Sequence, residues 1–149
     1  MTENKSLKTY NKAEIVKVVK DQVARVSTSY DLVRLQNVII VSEDNKEVIA
    51  EMLLELNEFS NVSRKMNAGQ IIETVNMLMN GYPRLSLQEY QAFFNKIKNG
   101  YFGQLYESLD GIKIMAFMSD FYKEINNAYN EMIEENHQNL KRIENHRDL

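Results

Sequence analysis

The chain has 149 residues, a net charge of −3, no cysteine, no tryptophan, one proline and five glycines. The length suits one domain, and the missing cysteine excludes a disulfide framework, a thiolate metal site and a cysteine nucleophile. So little Gly and Pro excludes a turn-rich β-sandwich or a Gly/Pro-rich disordered chain, which leaves an all-α domain.

No stretch of 18 apolar residues is present, so no membrane span is expected. Met1-Thr2-Glu3-Asn4-Lys5 carries an early acid with no apolar core behind it, unlike a signal peptide, and the expected location is cytoplasmic. The charge alternates along the chain: +3 over residues 1–34, −5 over 35–62, +3 over 63–103 and −4 over 104–149. This pattern suits packed helices of complementary charge. It also leaves a local basic face in the third block, although the acidic total opposes a surface that grips nucleic acid everywhere.

Residues 1–10 lack periodicity and read as a flexible arm. Asn11 with Glu14 has capping-box spacing, and Ile15, Val19, Val23 and Val26 predict a helix from about Lys12 to Ser27. Residues 29–41 are ambiguous. Leu32, Leu35 and Ile39 fit a helix, whereas Val38-Ile39-Ile40-Val41 fits a short buried strand. A lone strand has no evident partner in this chain, so helix is favoured. Ser42, followed by Glu43 and Asp44, caps the next helix, whose apolar stripe is Val48, Ile49, Met52, Leu53, Leu56 and Phe59.

The polar connector 60–67 is the best candidate for a sub-boundary. Asn67 with Gln70 is a second capping box, and Ile71, Val75 and Leu78 define the helix after it. Gly81 is placed to end that helix in a left-handed C′ conformation, with Pro83 blocking continuation. Ser86 with Glu89 opens a helix carrying Leu87, Tyr90, Phe94 and Ile97, and Gly100 ends it. Asp110 caps a long run in which Ile114, Phe117, Met118, Phe121, Ile125, Ala128 and Met132 keep helical period. Residues 134–149 form a polar helical tail. Helical throughout, 110–146 would extend roughly 55 Å, longer than a domain of this size, so its last turns are expected to protrude or meet a partner. The fold expected is a single all-α domain of five or six helices. It has a helical hairpin at 69–99, a body over 11–133 and a long C-terminal helix.

The catalytic inventory is thin. The two histidines, His137 and His146, lie nine residues apart in the tail, outside the i, i+3 or i+4 spacing of a helical metal pair. Adjacent acids such as Glu43-Asp44 and Glu134-Glu135 do not face each other on a helix. There is no P-loop and no Gly-x-Ser-x-Gly. No catalytic residue, metal or cofactor is assigned, and the chain reads as a non-enzyme.

The third block interleaves cations with aromatics: Arg84, Lys96, Lys98, Tyr101, Phe102 and Tyr106. Lys and Arg can neutralise phosphates, and rings can stack on unpaired bases or enter a partner's apolar pocket. These six are the candidate surface for nucleic acid or a partner protein. The competing assignment is core packing for the rings and solvation for the lysines. In the C-terminal helix, apolar positions 114, 118, 121, 125, 128 and 132 have heptad spacing, which suits intramolecular packing. The excess length offers a second surface for a partner or for a homo-oligomer.

Phe93/Phe94, Lys98, Gly100, Tyr101, Gly103, Tyr106, Asp110-Gly111, Tyr122 and Glu124 form a pattern over residues 70–129. It resembles small helical proteins of unassigned function from phages and mobile elements of Bacteroides-type bacteria. The resemblance implies a helical accessory protein, acting near DNA replication in the host cytoplasm, and transfers no catalytic residue. The chain departs from the pattern after Glu124, where Asn126 and Asn127 stand in place of an expected Arg. Two functions follow as expectations. One is an accessory protein that contacts nucleic acid, a replication protein or a host protein through the basic-aromatic face. The other is a structural or inhibitory module that docks by its long helix.

Overall fold

The computed structural model describes residues 11–105 and 107–147, so the expected arm at 1–10 and the candidate residue Tyr106 lie outside the described residues. Helix α1 (Lys12–Ala24) starts where the Asn11 side chain accepts from the Glu14 N–H at 2.8 Å. It buries Ile15, Val19 and Val23 and stops three residues short of the expected end. Thr28 then caps α2 (Ser29–Val33) by accepting from the Asp31 N–H.

The helical expectation for 29–41 fails after Val33. Asn37 takes a left-handed conformation (φ 60°), which Asn tolerates better than most residues, and the chain becomes extended. A partner for this extended segment does exist. The Val41 N–H donates to the Leu85 carbonyl at 3.1 Å and the Leu87 N–H to the Ile39 carbonyl at 2.7 Å, an antiparallel bridge centred on Ile40 and Ser86. The Gln88 side chain accepts from the Ile39 N–H.

A 3-10 turn (Glu43–Asn45) separates Ser42 from α3 (Lys46–Phe59). Asn45 holds it by accepting from the Ser42 N–H and donating to the Ile40 carbonyl. Helix α3 buries Val48, Ile49, Met52, Leu53 and Leu56 as expected, but Phe59 at its end is 63% exposed. The connector 60–67 is stitched in at two places. Asn57 donates to the Met66 carbonyl and accepts from its N–H, both at 2.9 Å. Arg64 exchanges backbone hydrogen bonds with Glu107 and Leu109. Val62 and Met66 are buried and belong to the same core as both flanking halves.

Helix α4 (Ala68–Gly81) opens on the expected Asn67–Gln70 box. Its end differs from expectation: Gly81 is inside the helix, and Tyr82 leaves it with φ −135°. The helix end is closed without a left-handed glycine: the Tyr82 N–H donates to the Leu78 carbonyl at 2.8 Å, and the Tyr90 hydroxyl reaches the Leu78 and Tyr82 carbonyls. Helix α5 (Leu87–Lys98) begins at the Ser86–Glu89 box, buried here, and is enclosed on nearly every side from Leu87 to Phe94. It packs mainly on α1 and α3, while α4 packs on α3 and on the last helix, α6 (Gly111–Arg147). Gly100 ends α5 as expected, and does so in the left-handed form (φ 75°). Its N–H reaches the Ile97 carbonyl, and the Tyr101 N–H reaches Lys96, the paired bonds of a Schellman motif.

Helix α6 (Gly111–Arg147) has 37 residues, roughly 55 Å, and Asp110 caps it by accepting from the Lys113 N–H at 2.9 Å. Ile114, Met118, Phe121, Ile125 and Ala128 are buried, and every residue from 133 to 146 is exposed. Among the described residues there is no strand, and six α-helices form one all-α domain.

Candidate interaction surfaces

The Schellman turn folds Tyr101 back against the end of α5 and fixes the basic-aromatic face. The Lys96 ammonium lies 3.8 Å from the Tyr101 ring centroid, within cation–π range, and 3.7 Å from a Glu124 carboxylate oxygen. The Tyr101 hydroxyl donates to the other Glu124 oxygen. That bond to a carboxylate raises the Tyr101 phenol above its ordinary pKa, because ionisation would set two negative charges together. Lys96, Tyr101 and Glu124 thus form one closed cluster.

Lys98 points elsewhere. Its ammonium is 3.8 Å from Glu55, which also holds Lys20 at 2.6 Å, and it lies over the exposed Phe59 ring. The hydrogen bond from Lys20 is the main cause that keeps the Glu55 carboxyl below its usual pKa, against the opposing effect of partial burial. Phe102 is half-buried and packs on Phe93, with centroids 5.8 Å apart, and on Phe117 at 5.3 Å. Arg84 is exposed in the turn before α5, at the opposite end of that helix. Of the six candidates, the fold therefore joins Lys96, Tyr101 and Phe102, but turns the cations toward carboxylates and one ring toward the core. Sequence reading did not pair these side chains with Glu55 and Glu124, because the two acids arrive from other helices.

Glu89 carries a second group of contacts, in which the expected capping box is joined by Tyr129 from α6. One carboxylate oxygen accepts from the Ser86 N–H and hydroxyl, and the other accepts from the Tyr129 hydroxyl at 3.1 Å. Burial, and then the Glu89 charge, push the Tyr129 phenol up to about 12. All of these contacts are internal, so the cluster locks α6 onto α5. Among the described residues no group of three His, Asp or Glu side chains is placed to hold a metal ion. A groove of about 360 Å³ lies between α3 and the α5 end, with Phe59, Lys98 and Leu105 on its wall.

The projecting end of α6 differs from all of these. Ile133, Leu140 and Ile143 are 60%, 61% and 51% exposed, with neither core nor carboxylate against them. At 100° per residue Ile133 and Leu140 point roughly 100° and 80° around the helix from the buried seam of 114–132, while Ile143 lies within about 20° of it. Their spacing is present in the sequence but diluted by the polar residues between them.

Comparison with protein-family models, curated proteins and solved structures finds none that matches the chain. No helix among the described residues is long and apolar enough to cross a membrane.

Proposed function

We propose that this chain is a non-enzymatic interaction protein that captures a partner protein through the projecting end of α6. It is of the accessory kind that the phage and mobile-element resemblance implies, acting in the cytoplasm of a bacterial host. The observation that carries the reading is the exposed stretch 133–146. Fourteen consecutive helical residues leave the core with a seam of three large apolar side chains, and a solvated helix gains nothing from such a seam. The test is affinity capture from host or infected-cell extract, with nuclease treatment of half the sample. The full chain should retain a protein whether or not nuclease is added, and a chain truncated after Met132 should lose it. Equal retention by the truncated chain would remove the tail as the docking element.

A nucleic-acid reading is supported by Tyr101, which is 55% exposed beside Lys96, and by exposed Arg84. It has less support than the tail, since Lys96 and Lys98 already face carboxylates. Its test is a mobility-shift titration at low salt. Binding should weaken steeply with added salt and on the Lys96→Ala/Lys98→Ala double change. Binding indifferent to both would sink it.

A further inference from the structure

Glu124 stands where an anion from outside would bind. Helix α6 brings it to the end of α5, where Lys96 and the Schellman turn present an ammonium and a phenol hydroxyl to one carboxylate. A lysine and a hydroxyl are also a common pair of donors to a nucleic-acid phosphate, which offers them the same kind of charged oxygen. The phenol brings a ring with it. Lys96 lies over that ring and Phe102 meets it edge-on, yet Tyr101 is still more than half exposed.

Glu124 fits this cradle incompletely. Its Oε1 accepts from the Tyr101 hydroxyl, but its Oε2 is shut away from water with no hydrogen-bond donor. The Lys96 ammonium stands 3.7 Å from Oε2, too far for a hydrogen bond. A buried acceptor without a donor is unfavourable, and more so when it is charged. Glu89 is the contrast, since each of its oxygens has a donor. Swung out into water, Glu124 recovers the hydration that Oε2 lacks, so an outside anion can replace it at little cost. Glu89 has no such incentive to leave.

We propose that Glu124 is an autoinhibitory counter-anion: it fills a phosphate site made by Lys96 and Tyr101, and single-stranded nucleic acid binds by displacing it. The proposal rests on the nucleic-acid reading above and adds the control of that surface. In a rigid molecule the carboxylate beside Lys96 counts against nucleic-acid contact; as a displaceable group it is the gate. The ring favours nucleic acid over an acidic peptide, because a base stacks on an exposed aromatic face and a carboxylate does not.

The experiment is a fluorescence-anisotropy titration of a labelled single-stranded poly(dT) oligonucleotide with the full chain at low salt. Glu124→Gln, with unchanged helical circular dichroism, should tighten binding about three- to tenfold, because the site no longer has to open first. The gain should vanish in a Lys96→Ala background. Asp120→Asn makes the same change of charge on an exposed side chain one turn away, and should give less than half of the gain. Binding that Glu124→Gln leaves unchanged would overturn the gate and spare the nucleic-acid reading. An equal gain from Asp120→Asn, or a gain that survives Lys96→Ala, would do the same, since general charge would then explain it. Binding by neither the unaltered chain nor Glu124→Gln would overturn both. A labelled polyglutamate serves as the second probe. Its capture by Glu124→Gln in place of poly(dT) would assign the site to an acidic peptide and overturn the proposal.

Discussion

Gly111, the first residue of α6, is required for space and not for backbone freedom, and this makes a quantitative prediction. Its φ is not in the left-handed region, so alanine fits the backbone there. A Cβ added at 111 would, however, lie 2.7 Å from the Thr74 hydroxyl oxygen, closer than real contacts allow. Thr74 has little room to yield. It is buried, its side chain is β-branched, and its hydroxyl donates to the Gln70 carbonyl at 2.8 Å. Gly111→Ala gains up to about 1 kcal/mol of helix propensity. Against that stand about 1–3 kcal/mol of overpacking and, if Thr74 rotates away, about 1 kcal/mol for its hydrogen bond. The net expectation is about 1–2 kcal/mol of destabilisation, measured as a lower urea midpoint at constant slope. Thr74→Ala removes the clashing oxygen and leaves an ordinary Cβ contact of 3.7 Å. In that background Gly111→Ala should be neutral or stabilising, a coupling of about 1–3 kcal/mol in a double-mutant cycle. An equal effect of Gly111→Ala in both backgrounds would refute the reasoning, as would stabilisation of the otherwise unaltered chain.

Asn57→Ala should cost about 2–3 kcal/mol in urea unfolding, because it orphans both the N–H and the carbonyl of buried Met66; a loss under about 0.5 kcal/mol would contradict this. Tyr129 ionises near 10 in the unfolded chain and about 12 in the fold. Its contribution is therefore complete below pH 10 and is lost as pH rises through 12. Urea midpoints followed from pH 8 to 12 should fall less steeply for Tyr129→Phe, and parallel curves would refute the assignment. Glu124→Gln removes the charged acceptor of Tyr101 and should bring that phenol down toward its ordinary value, seen in a difference titration of tyrosine absorbance. An unchanged titration would show that the bond does not set it.

Features decided within three or four residues were legible in the sequence. The boxes at Asn67–Gln70 and Ser86–Glu89, the Asp110 cap and the Gly100 terminus need only local spacing, and all appear as read. The failures share a cause in distance along the chain. The extended segment 39–41 pairs with residues more than 40 positions later, and the end of α4 is met by the Tyr90 hydroxyl from the next helix. On the candidate surface, residue type suggested cations and rings open to a ligand. Which way they turn depends on Glu55, Glu124 and Phe93, each from another helix. The apolar seam of the tail was written in the sequence throughout, but only its exposure distinguishes it from a helix end fading into solvent.

The enclosure of α5 has a consequence for how the chain is made. Helices α1 and α3 both rest on α5, and Gln22 on α1 accepts from Gln88 across 66 positions of sequence. While the chain is emerging from a ribosome, α1 and α3 can meet each other and α4, but the face that both turn to α5 stays open until residues 87–97 follow, and Phe93 meets Phe121 only later still. During vectorial synthesis that shared apolar face is therefore open to chaperones until α5 is out.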